Sequence, residues 1–309
     1  MHCDGCEINL SNFAEEIGIN PEDFLQFLQK HGVFKTVMTC PDCGKLCRQI
    51  EARLMFRCQS RRDVDGLRVK CNFSFSLKTN TWLMEKHLPL KKVCRFVCMW
   101  LLVPHPRHGL IISELSMSPR SVVAWSNYCR EICLNSLAMT DDEVIGGVGK
   151  TVEIDEAEFG KQKNNMRKEL EGSWVFAGLE RGTKRCFFET VQDRSAGALI
   201  DVIFRRIAPG TTIISDRWKG YDPLINHPQY HQLTIDHNLN FVDPQSGVNT
   251  QNIERMWHEV LSNIPRFGRG KNLIDGYLAE FYWKSKFERN SRVHNFFLEV
   301  ARQFDPNRK

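Results

Sequence analysis

From Thr151 onward the apolar residues change period in an order that few folds accept. Thr151-Val-Glu-Ile-Asp155 alternates with period two, Trp174 to Leu179 is a nearly continuous apolar run, and Arg185 to Val191 is aromatic and β-prone. Three strands therefore follow one another. Ala196, Leu199, Ile200, Ile203, Phe204 and Ile207 then recur at three and four, one face of a helix stopped by Pro209-Gly210. Thr211 to Ser215 and His231 to Ile235 return to strand composition, and Ile253, Met256, Trp257, Val260, Leu261 and Ile264 mark a last helix halted by Pro265.

Three strands, helix, strand, strand and helix is the order of a ribonuclease-H-like α/β fold, a mixed sheet with flanking helices. Three acids fall at telling places in it. Asp155 lies on the strand face opposite Val152 and Ile154, Asp216 follows the buried Ile213-Ile214 at the carboxyl end of a strand, and Glu254 sits beside the apolar face of the last helix. Carboxylates converging from three elements suit a pair of Mg²⁺ or Mn²⁺ ions, one activating a nucleophile and one stabilising a leaving oxygen in phosphodiester chemistry. The competing reading is that acids at strand ends serve turns and solvent. Glu153, Glu156, Glu158, Asp222, Asp236 and Asp243 stand nearby as rivals, and Glu153, on the face of Asp155, suits a supporting role.

The amino-terminal half is built differently. Pro21 opens a helical arm carrying Phe24, Leu25, Phe27 and Leu28, ended by His31-Gly32. Cys40-Pro-Asp-Cys43-Gly is a good zinc knuckle, and Cys58 and Cys71 complete a C-x2-C-x14-C-x12-C set, with Cys47 as a substitute ligand and ordinary thiols as the bland alternative. Cys3 and Cys6 lack a nearby second pair and are not counted as ligands; Cys94/Cys98 and Cys129/Cys133 lie at helical spacing, which favours core thiols. Leu88 to Leu102 reads as an apolar helix ended by Pro104. Leu110 to Leu115 and Pro119 to Leu134, joined by Ser116-Met-Ser118, resemble a helix-turn-helix whose Arg120, Trp125 and Arg130 are expected to face DNA. The Asp141-Asp142-Glu143 run and the glycines from Gly146 supply a linker.

Charge and cysteine usage narrow the class. Between Lys35 and Glu114, 15 Lys/Arg stand against 6 Asp/Glu, and from Arg255 to Lys309, 11 stand against 6. Such basic stretches favour a polyanionic partner, since phosphate neutralisation dominates nucleic-acid affinity; a solvated basic face is the alternative. No long uncharged apolar run suggests a membrane span, the first thirty residues do not read as a secretory leader, and the 12 cysteines read as thiols or metal ligands in a reducing compartment.

Taken in order, Val152-Glu-Ile-Asp-Glu156 with Phe159-Gly160, Trp174-Val-Phe-Ala-Gly178, Leu179-Glu-Arg-Gly182 and Asp193-Arg-Ser195 make a long motif series. It continues through Pro209-Gly-Thr-Thr-Ile-Ile-Ser-Asp216, Gly220-Tyr221, His237, Asn240-Phe-Val-Asp243 and Thr250-Gln-Asn-Ile-Glu-Arg255 with Trp257. Over roughly residues 36 to 288 the chain resembles Merlin-type DDE transposases, related to bacterial insertion-sequence transposases that carry a zinc ribbon before the DDE domain. The resemblance implies catalytic, metal-binding roles for Asp155, Asp216 and Glu254, supporting roles for His237 and Asn252, and structural Zn²⁺ on Cys40, Cys43, Cys58 and Cys71. Arg217 and Lys219, just past Asp216, are expected at the DNA.

The implied organisation is a helical arm (1–36), a zinc ribbon (37–84), a helix-turn-helix-like region (85–145), an RNase-H-like DDE catalytic domain (146–290) and a basic C-terminal tail (291–309). The implied activity cuts transposon ends and joins the 3′-hydroxyl to target DNA. Expected partners are double-stranded DNA, as terminal inverted repeats and target, and further copies of the chain; the expected location is the nucleus, away from membranes. Two positions depart from the family: Asn249 where His is common, and Leu261-Ser262 where a basic pair is usual. These losses weaken DNA contact and keep a rival open, a domesticated DNA-binding protein that no longer cuts, and a nuclease on the same fold is a third reading.

Overall fold

The computed structural model describes residues 3–308 apart from 65, 85–86, 139–143, 161–171, 184, 236–248 and 266–272. It divides into two units, Met1–Ile132 with Phe287–Lys309, and Cys133–Lys286.

In the first unit a short helix α1 (Phe13–Glu16) precedes α2 (Pro21–Lys30), which starts on a reciprocal cap between Asn20 and Asp23 and buries Phe24, Leu25, Phe27 and Leu28. Strands β1 (Arg48–Ile50), β2 (Met55–Arg57), β3 (Arg61–Val64), β4 (Leu67–Lys70) and β5 (Ser74–Ser76) follow. They form an antiparallel three-stranded sheet, β1-β2-β5, and a separate β3-β4 hairpin. Helices α3 (Leu90–Leu102), α4 (His108–Leu115) and α5 (Pro119–Ala138) come next; Ser118 Oγ accepts the Ser121 N–H at 3.1 Å and so caps α5.

The second unit carries β6 (Ile145–Gly146), β7 (Thr151–Phe159), β8 (Ser173–Glu180), β9 (Cys186–Val191), α6 (Ala196–Arg206), β10 (Ile207–Ala208), β11 (Thr212–Asp216), β12 (His231–Ile235), α7 (Gln251–Asn263) and α8 (Ile274–Ser285). Its five-stranded sheet runs β12-β11-β7-β8-β9, with β11 parallel to β7 and β12, and β8 antiparallel to β7 and β9. This is the mixed RNase-H-like sheet expected from the sequence. Period-two alternation feeds both faces. Val152, Ile154, Phe176 and Ile213 pack with Leu199 and Ile203 of α6, while Phe159, Val175 and Ala177 pack with Ile253, Trp257 and Val260 of α7 and Tyr277 of α8. Gly178 has no side chain for a packing reason: a Cβ there would lie 2.3 Å from the buried Phe187 ring.

The chain's last helix, α9 (Arg292–Gln303), belongs to the first unit. The stretch expected as a basic tail is thus an amphipathic helix, burying Val293, Phe296, Phe297 and Val300 at spacings of three and four. Phe296 meets the rings of Trp82 and Trp100, and Phe297 meets Phe27. Among the described residues no helix is long and apolar enough to cross a membrane.

Candidate active site and cysteine cluster

Asp155 sits in the middle of β7 and Asp216 ends the neighbouring parallel strand β11, so strand pairing brings both carboxylates to one region of the sheet. Glu254 comes from the first turn of α7. The three are close enough to act on one another electrically. Burial pushes the Asp155 carboxyl up to about 7, helped by the charges of Glu156, Asp216 and Glu254, against the lowering effect of the Glu156 N–H that Asp155 Oδ1 accepts at 2.9 Å. Glu254 Oε1 accepts the Thr250 hydroxyl at 2.9 Å.

Two further acids in the region have fixed structural duties. Glu156 accepts from the guanidinium of Arg194 and from the Tyr221 hydroxyl, and burial raises its carboxyl. Arg194 also reaches Asp216 Oδ2 at 3.9 Å and stacks over the Trp218 ring at 4.5 Å. Glu153 is wholly buried: its carboxylate accepts Arg181 Nε at 2.6 Å, Asn252 Nδ2 at 2.6 Å and the Ile253 N–H at 2.9 Å. Thr250, at the N-cap of α7, makes no side-chain cap; Glu153 takes that place, its negative charge at the helix N-terminus. Arg181 in turn donates to the Asn249 carbonyl at 2.6 Å. Glu153 therefore fixes the start of α7, one residue ahead of Glu254.

Asn252 thus contacts Glu153, a positioning arrangement, and His237 lies outside the described residues. Sequence reasoning did not single out Arg181, Arg194 or Tyr221; all three fall within its motifs, but their partnerships come from strands that meet only in the fold. Arg217 and Lys219 are exposed beyond Asp216, and Arg120 is exposed on α5. Trp125 and Arg130 are not at the surface. Trp125 packs edge-on against Trp82 at 5.4 Å, and buried Arg130 donates to Asn127 Oδ1 at 3.0 Å, because both lie on or beside the Val122, Cys129, Ile132 stripe of α5. Of the three residues expected at DNA from that helix, Arg120 alone is exposed.

In the first unit the Sγ atoms of Cys40, Cys43, Cys58 and Cys71 all lie within 4.8 Å of one another, with Cys40 to Cys71 at 3.4 Å and Cys43 to Cys58 at 3.5 Å. A tetrahedral zinc with Zn–S near 2.3 Å separates sulfurs by about 3.8 Å, so four thiols at this spacing fit the ion. Cys47 stays outside the group. The knuckle at Cys40 closes through the Gly44 N–H on the Cys40 carbonyl, with Gly44 at φ +69°. The long spacing between Cys58 and Cys71 is occupied by the β3-β4 hairpin, whose described residues are all exposed and include Arg61, Arg62, Arg68 and Lys70.

Residues 146–286 match the ISXO2-like transposase domain. No curated protein matches the sequence. Among solved structures, the chain is similar to the simian T-cell lymphotropic virus intasome in complex with PP2A regulatory subunit B56 gamma, at 13% identity over 46% of this chain and 50% of that one, TM-score 0.31. It is similar also to the Drosophila P element transposase strand transfer complex, at 10% identity over 73% and 63%, TM-score 0.28. A pre-cleavage Mos1 transpososome follows at 9% identity over 65% and 75%, TM-score 0.18. The chain spans half the length of the first of these. At such TM-scores the likenesses add nothing to the domain match.

Proposed function

We propose, from the match of residues 146–286 to an ISXO2-like transposase domain, that the chain is a DNA transposase of the Merlin type, cutting the ends of its element and joining the freed 3′-hydroxyl to target DNA. The observation that carries the reading is the approach of Asp155, Asp216 and Glu254 from three elements, where burial first, and then the charges of Glu156, Asp216 and Glu254, push Asp155 up to about 7. Part-buried like charges of this kind favour a bound cation over a solvent-facing role. Mg²⁺ or Mn²⁺ held by these three would supply Lewis acidity for in-line attack at phosphorus.

The chain's own residues divide the remaining work. Glu153, through Arg181, Asn252 and the Ile253 N–H, holds the turn that presents Glu254. Arg194, held between Glu156 and the Trp218 ring, keeps Glu156 occupied and stands beside Asp216. Arg217 and Lys219, exposed past Asp216, suit contacts to DNA phosphates, as do Arg120 and the basic ribbon hairpin. Zinc on Cys40, Cys43, Cys58 and Cys71 would hold that hairpin's base. His237 is proposed to support the site. Handling two ends calls for more than one copy of the chain, working in the nucleus.

The second reading, a domesticated DNA-binding protein, is favoured by Asn249 and Leu261-Ser262, which lack the side chains usual at those positions. One assay separates the two: Mg²⁺- or Mn²⁺-dependent cleavage of labelled DNA bearing the element's inverted repeats, intact chain against Asp216→Asn. Cleavage lost in the variant supports the transposase. Binding without cleavage in both supports the domesticated protein, and neither binding nor cleavage rejects both.

A further inference from the structure

We propose that Cys3, Cys6, His31 and His294 form a second structural zinc site, a Cys2His2 centre that ties the amino-terminal arm to the last helix. The four ligand atoms lie within 4.8 Å of one another, although the chain separates the outermost two by nearly its whole length. Cys6 Sγ is 3.5 Å from His31 Nε2 and 3.6 Å from His294 Nδ1, and the two ring nitrogens are 3.1 Å apart. A tetrahedral zinc with Zn–S near 2.3 Å and Zn–N near 2.05 Å separates S from N by about 3.6 Å and N from N by about 3.3 Å. The agreement is as close as in the four-cysteine group, and here it involves two kinds of donor.

The surroundings prepare each ligand. His31 ends α2, and its Nδ1 lies 2.8 Å from the Phe27 carbonyl, which accepts the ring N–H and turns the bare Nε2 toward the centre. A second hydrogen bond of this kind is the usual means of setting the tautomer of a metal-bound histidine. His31 and His294 are both buried, at 1% and 8% exposure, which shields the centre from water. Cys3-Asp-Gly-Cys6 forms a short knuckle in which Gly5 holds φ +149°. Its backbone is pinned on both sides: the Cys3 N–H donates to the Lys30 carbonyl at 3.0 Å, and the Ile8 N–H to the Asn290 carbonyl at 2.8 Å. These bonds bring the knuckle to the end of α2 and to the segment leading into α9.

Four protein ligands fill a tetrahedron and leave no open position, so the centre is structural. It closes the first unit by joining α2, the knuckle before it and α9, all of which lie within that unit. The two-sulfur, two-nitrogen set selects zinc over magnesium or manganese, so this centre is chemically separate from the carboxylates of the second unit.

The test is metal content of the full-length chain, which does not depend on activity. Elemental analysis is expected to give two zinc ions per chain. Cys3→Ser with Cys6→Ser, or His294→Ala, is expected to remove one and keep the other; Cys40→Ser with Cys43→Ser removes the opposite one. Because truncating a ligand can unfold the unit, His294→Cys serves as a rescue: two zinc ions remain, and X-ray absorption changes from six sulfur and two nitrogen ligands over two ions to seven and one. Fewer than two zinc ions in the parent, two retained after Cys3 and Cys6 are replaced, or an unchanged ligand set in His294→Cys would each overturn the proposal.

Discussion

Replacing Glu153 by alanine tests whether one buried carboxylate organises the start of α7. The side chain is fully buried and accepts three donors, from Arg181, Asn252 and the Ile253 N–H, all within 2.9 Å. Removing one partner of a buried ion pair costs about 3–5 kcal/mol. Arg181 keeps 29% of its side chain exposed and recovers some water, which favours the lower end of that range. The Ile253 N–H, left without its acceptor, adds about 1 kcal/mol. Some relaxation offsets that addition, so the net expectation is about 3 kcal/mol. Hydrogen exchange by mass spectrometry on peptides from β7 and α7 reads this locally, without assuming that both units unfold together. Where exchange reports the opening equilibrium, 3 kcal/mol corresponds to roughly a hundredfold faster exchange. Glu153→Gln keeps one carbonyl acceptor and sets an amide N–H₂ against a donor, so it falls between parent and alanine. A loss below about 1 kcal/mol in Glu153→Ala, or a glutamine variant worse than alanine, refutes the assignment of Glu153 as the clamp on α7.

Three further predictions bear on the site and the packing. Asp155 holds its proton more tightly when folded, up to about 7, than a free aspartate does, so its contribution to stability is fully present below about pH 4 and is lost as pH rises through 7; without added Mg²⁺, Asp155→Asn is therefore expected to melt above the parent at pH 8 and to converge with it near pH 4, and a variant that melts lower at pH 8 contradicts the charge account. Gly178→Ala drives a methyl into the Phe187 ring and is expected to destabilise the sheet by about 1–3 kcal/mol in thermal melts, an unchanged melting temperature being the adverse result. Phe296→Ala empties a fully buried site among Trp82, Trp100 and Phe297 and is expected to cost about 3–5 kcal/mol in urea unfolding; a loss under 1 kcal/mol would return residues 291–309 to a solvated tail.

What could be read in the chain was local in character. Alternation at Val152 and Ile154, the apolar run at Trp174 and the three-and-four spacing from Leu199 gave the strands and helix of the sheet, because each is decided by residues a few positions apart. The same periodicity, applied to α5, would have put Trp125 on the buried stripe with Val122, Cys129 and Ile132; attention to charge and aromatic content placed it at the DNA instead. It would equally have found α9 through Val293, Phe296, Phe297 and Val300. Other features had no local signature. Glu153 meets Asn252 and Arg181, and Cys3 meets His294, only after strands and helices from distant parts of the chain have packed. A single knuckle such as Cys3-x2-Cys6 carries half of a site, and its completion lies in two histidines, one read as the end of a helix and one in the stretch expected as a basic tail.

The carboxylates of the second unit also bear on the choice between a cutting and a merely binding protein. Arg194 serves Glu156 and stands 3.9 Å from Asp216, while burial, with the charges of Glu156, Asp216 and Glu254, pushes Asp155 up. DNA brings a further line of negative phosphates, and a surface that binds DNA without metal gains by shedding such acids. Retaining Asp155, Asp216 and Glu254 together is intelligible if cations sit between the carboxylates and the phosphates. Leu261-Ser262 acts in the opposite sense: the helix that bears Glu254 lacks positive charge there, so on the proposed reading more of the attraction to DNA would fall to Arg217, Lys219 and the divalent ions. On this argument DNA affinity should depend on Mg²⁺ through the acids. The intact chain is expected to bind inverted-repeat DNA more tightly with Mg²⁺ than at equal ionic strength without it, and Asp155→Asn is expected to lose most of that difference. Equal affinity in both conditions would favour the domesticated protein.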